Sequence, residues 1–91
     1  MPAWTQERPH FFAQDGRQFA SAVGRARTVD PALARAAAED RARVDLLRLL
    51  QGGTPGGSFQ GALAGARMTD AFTSKRTGEV FVRLEVEANK R

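Results

Sequence analysis

The chain has 91 residues, the size of one domain, with a net charge of +4 from 14 Lys+Arg against 10 Asp+Glu. It contains no cysteine, which excludes disulfides, thiolate metal sites and thiol nucleophiles. No apolar run is long enough to span a bilayer, and the first ten residues carry no apolar leader segment, so a cytoplasmic protein is expected. The apolar share leans on alanine, which buries little area per residue. A core this thin predicts self-association, as a homodimer or a larger homo-oligomer. Twelve of the fourteen cations are Arg, whose planar fork suits phosphate and carboxylate recognition.

Residues 1–14, with Pro2 and Pro9, read as an irregular arm. Trp4, Phe11 and Phe12 are unusual in a tail without structure, and predict that the arm docks onto the domain or onto a second subunit. Residues 15–51 read as a helical part made of two helices. In the first, over 15–27, Asp15 is placed to cap, and Phe19, Ala22, Val23 and Ala26 follow the spacing of one buried helical face. Gly16 and Gly24 weaken it, each by about 1 kcal/mol relative to Ala.

The second helix, 31–51, is the longer. Asp30 is its cap, Pro31 takes the first helical position, and Gly52-Gly53 stops it. Leu33, Ala36, Ala37, Val44 and Leu47 are expected to share its buried face. Asp40 would then interrupt that face, and is expected to lie at a solvated edge or to pair with an Arg of its own chain, the alternative being a polar contact at an interface. Leu46, Leu49 and Leu50 lie off the stripe, so the last turns are apolar nearly all round. They must be covered by the rest of the chain or by a second copy, which makes these leucines interface candidates. Glu39 and Arg43 have the favoured i, i+4 order.

A Gly-rich linker over 52–58 divides this part from a β part over 59–91. Residues 59–65 leave room for a third strand. The remainder reads as an antiparallel hairpin, in which Val80, Val82, Leu84 and Val86 alternate with Phe81, Arg83, Glu85 and Glu87. Ser74-Lys75-Arg76-Thr77-Gly78 forms its turn. The expected register sets Phe72 opposite Val80 and Met68 opposite Leu84, leaving Asp70 facing inward as a misfit. The predicted class is therefore α+β: two N-terminal helices, a linker and a C-terminal hairpin.

Few residues carry a pattern that points to catalysis or metal binding. His10 is the one histidine, no ligand spacing for zinc occurs, and Gly57-Ser58-Phe59 lacks the context of a nucleophile elbow. The acids alternate with apolar residues on strands or sit beside Arg at helical spacing, as solvated surfaces do. The expectation is a non-enzymatic binding protein with no cofactor and no small-molecule substrate. Its partner would be a protein, with the chain serving as adaptor, assembly component or inhibitor. Nucleic acid is the alternative, contacted by Lys75 and Arg76 at the hairpin tip with Arg67, Phe81 and Arg83 on the strands, and with a basic Asn89-Lys90-Arg91 end. Both readings lean on Phe81 as an exposed anchor, and a buried Phe81 counts against both.

Overall fold

A computed structural model describes residues 2–53 and 65–88. After a 3-10 turn at Ala3–Gln6 come strands β1 (His10–Gln14) and β2 (Arg17–Ala26), helix α1 (Pro31–Gly53), and strands β3 (Arg67–Thr73) and β4 (Val80–Glu87). The four strands form one antiparallel sheet in the order β1-β2-β4-β3. The α+β class holds, but the two-helix arrangement does not: strands precede and follow a single helix.

The correction over 15–27 has a local cause and a global one. Asp15 and Gly16 both have positive φ, 54° and 75°, the mirror-image turn that joins two strands without splaying them. Asp15 is thus a turn residue and not a helix cap. Beyond it, β2 is covered on both sides. Ala20, Ala22, Gly24 and Ala26 face α1, while Phe19, Ser21 and Val23 lie on the other face. Burial on both sides erases the alternation that marks a half-exposed strand, and the surviving pattern mimics a helix. The irregular arm is shorter than expected, since His10–Gln14 pairs with β2 as β1.

Helix α1 starts as its sequence dictates. The Asp30 carboxylate accepts the Ala32 N–H at 2.9 Å, and Arg43 pairs with Glu39 at 3.2 Å. The buried face, however, is Ala34, Ala38, Ala42, Leu46 and Leu50, and not the Leu33–Leu47 stripe. Small residues decide this. A Cβ at Gly24 would lie 2.0 Å from the Ala38 carbonyl oxygen, so helix backbone rests directly on the strand. Only an alanine row permits that approach. Leu46 and Leu50 follow on the same side and close the core against Leu84 and Val86. Asp40 lies in solvent and pairs with Arg43 at 3.7 Å, the solvated, Arg-paired placement expected of it.

In the C-terminal hairpin, Gly78 takes positive φ as its turn demands. Met68 does oppose Leu84, but Phe72 opposes Phe81 and Thr73 opposes Val80. A bulge between Met68 and Asp70 makes the difference. One extra residue there turns Asp70 away from the core and opposite Arg83, which removes the misfit of the simple register. The linker residues 54–58, the third-strand segment 59–64 and the basic end 89–91 lie outside the described residues. Among the described residues, no helix is long and apolar enough to cross a membrane.

Candidate interaction surfaces

The two sheet faces differ in chemistry. One is sealed by α1 through aliphatic side chains. The other carries Phe12 stacked on Phe19 at 5.4 Å between ring centroids, Phe72 beside Phe81 at 6.4 Å, and a polar centre at Arg83. The Arg83 guanidinium donates to Asp70 and to Glu7 (3.4 Å), lies 3.7 Å from Glu85, and packs under the Trp4 ring at 5.5 Å. The N-terminal 3-10 turn thereby covers the middle of this face and buries Thr5. Ser21 is buried nearby, and its hydroxyl has no partner among the described residues.

This arrangement separates the sequence-derived site residues. Phe81 is 1% exposed, with its ring beside that of Phe72, so it is a buried residue and offers no ring to a base or to a partner. Arg83 is occupied by three carboxylates. Arg67 lies opposite Glu85 in the β3–β4 register, beside a cavity of about 520 Å³ also lined by Arg17 and Glu87, and stands at the opposite end of the hairpin from Lys75 and Arg76. Those two are exposed on a turn held by four hydrogen bonds, including Ser74 N–H to the Glu79 carbonyl and Gly78 N–H to the Ser74 carbonyl, both 2.8 Å. Leu46 and Leu50 belong to the core, and Leu49 packs against it half-buried. Trp4 and Phe12 are half-buried on their own chain, whereas Phe11 is exposed.

The surface that reasoning from sequence missed is the outer side of α1. Leu33 is 62% exposed and Val44 47%, on the stripe expected to be inward. Asp40, Arg41, Asp45 and Arg48 surround Val44 in a shallow depression of alternating charge. The stripe itself was legible; which of two apolar helix faces turns inward was not. Among the described residues, no group of three or more His, Cys, Asp or Glu side chains is arranged to hold a metal ion. Comparison with protein-family models, with curated proteins and with solved structures finds no match to this chain.

Proposed function

We propose that this chain is a non-enzymatic binding protein that acts through a protein partner, as an adaptor, an assembly component or an inhibitor, and that the outer face of α1 is what it offers. The observation that carries the reading is the exposure of Leu33 and Val44 on a helix whose inward face is already filled. Apolar side chains ringed by charges of both signs suit a protein surface, which supplies an apolar centre and a polar rim. They do not suit a phosphate backbone, which asks for one sign. A second copy is one partner such a face would accept. The nucleic-acid reading keeps one observation in its favour: Lys75 and Arg76 are exposed on an ordered turn and take part in no ion pair among the described residues.

Two double variants separate the readings. Leu33→Glu with Val44→Glu should leave stability within about 0.5 kcal/mol, because both sites are exposed, and should abolish a salt-resistant complex isolated with the tagged chain. Lys75→Glu with Arg76→Glu should leave that complex intact. A complex indifferent to the helix variant would contradict the proposal. Oligonucleotide binding that salt weakens and the tip variant removes would establish the alternative.

A further inference from the structure

Strand β2 is longer than its neighbour on one side. β4 runs beside it from Phe19 to Ala26, whereas β1 runs beside Arg17–Ser21 alone. The two-residue turn at Asp15–Gly16 is closed by Gln14 and Arg17. Arg17, Phe19 and Ser21 therefore aim their backbone N–H and C=O at β1, and the intervening residues aim theirs at β4. The Gln18 carbonyl, which accepts the Ala88 N–H at 2.7 Å on the β4 side, fixes that sense. Continuing the alternation, Val23 and Arg25 point their backbone groups at the edge that β1 has vacated.

The chain cannot fill this edge with β1 itself. β1 begins only at His10, and the residues before it cross onto the Arg83 face. Among the described residues, no strand lies beside Ala22–Ala26 on that side. A side chain stands in for one there, because Arg41 of α1 donates to the Arg25 carbonyl at 2.7 Å. A charged side chain laid on an open edge blunts it against indiscriminate pairing. The surroundings are cationic. Arg25 and Arg27 are exposed on and just after β2, Arg41 arrives from above, and Glu79 answers Arg25 only at 4.0 Å. Leu33 and Ala37 share the helix flank of Arg41 at i−8 and i−4.

We propose that Ala22–Ala26 accepts an extended acidic segment of a partner protein as an added strand. Its backbone pairs with Val23 and Arg25, and its carboxylates meet Arg25, Arg27 and Arg41. On binding, Arg41 exchanges a carbonyl for a carboxylate, the stronger acceptor, while strand addition supplies the main-chain bonds. The charge selects the occupant: three guanidiniums beside one edge oppose a basic segment and oppose a second copy of this same arginine-bearing edge. The site adjoins the outer face of α1 through Arg41, but it is built on the β2 edge and stands whether or not that face has a partner.

The test is an amide-resolved NMR titration of the full chain with the peptide acetyl-Thr-Glu-Val-Glu-Val-Glu-Thr-amide and with its lysine counterpart. The acidic peptide should shift the Val23 and Arg25 amides and slow their exchange with solvent, and the lysine peptide should bind at least about tenfold more weakly. Arg41→Glu, at an exposed position that leaves the fold intact, should weaken the acidic peptide by a similar factor. Val23→Pro, which removes one outward N–H without touching the β4 ladder, should do the same. The proposal is overturned by equal binding of the two peptides, by no binding at millimolar peptide, or by shifts confined to other residues. It is equally overturned if those amides become protected by self-association alone, or if an oligonucleotide binds them in preference to the peptide.

Discussion

Arg83 gathers Glu7, Asp70 and Glu85 around one guanidinium and carries the Trp4 ring on its face. The arm's backbone hydrogen bonds are internal, such as Thr5 N–H to the Pro2 carbonyl and Glu7 N–H to the Trp4 carbonyl. Its side chains meet those of the sheet at Arg83, which contacts Glu7 and the Trp4 ring. Arg83→Ala should cost about 1–3 kcal/mol, the range for charged hydrogen bonds that are partly shielded. Trp4 is the one tryptophan, so its fluorescence reports the arm: the variant's emission should move to longer wavelength before global unfolding. Unchanged emission would mean that the arm is held by other contacts. From the sequence, Arg83 reads as an exposed strand position because it alternates with Val82 and Leu84. Its partner Asp70 reads as an inward misfit, because one bulge residue in β3 is invisible to a period-two count. Both readings assume that a strand has one wet face, and here the arm covers the second.

At the scale of elements, the sequence speaks where the signal is local. The Asp30-Pro31 start of α1, the alternation of β4 and the glycine of the β3–β4 turn are all read correctly, since each depends on a few neighbouring residues. β2 fails because its neighbours in space, α1 on one face and the arm on the other, are remote in sequence. The inward face of α1 fails for a related reason. Leucines outweigh alanines in any count of hydrophobicity, yet the sheet selects the alanine row because Gly24 lets the helix approach to backbone contact. That contact predicts an unusual sensitivity. Gly24→Ala adds one methyl, but its carbon would lie 2.0 Å from Ala38 O and 2.5 Å from Ala42 N, neither of which can yield without moving the helix. A loss of about 3 kcal/mol or more is expected, at the upper end of overpacking costs, measured as a lower midpoint in urea. A variant as stable as the parent would show that the helix stands farther off the sheet.

For the whole molecule, the division of labour follows from size. A small chain has too little apolar residue to fill two layers, and here alanine, glycine and a short arm economise on volume while Phe81, Leu46 and Leu84 fill the centre. Among the described residues, the outside includes a helix flank with Leu33 and Val44, a basic hairpin tip, and the part of the β2 edge that β1 leaves unpaired. Of these, the sequence marks the tip and the stripe but not the edge, since an edge exists only once strand order and strand lengths are known. Amide hydrogen exchange across residues 17–26 is the direct test of this strand arrangement. The structure predicts strong protection at Ala20, Ala22, Gly24 and Ala26, which bond to β4. It predicts protection at Phe19 and Ser21, which bond to β1, and rapid exchange at Val23 and Arg25, beside the open edge. Uniform protection through Val23 and Arg25, as a helix or a fully paired strand would give, would mean that β2 has no open edge there.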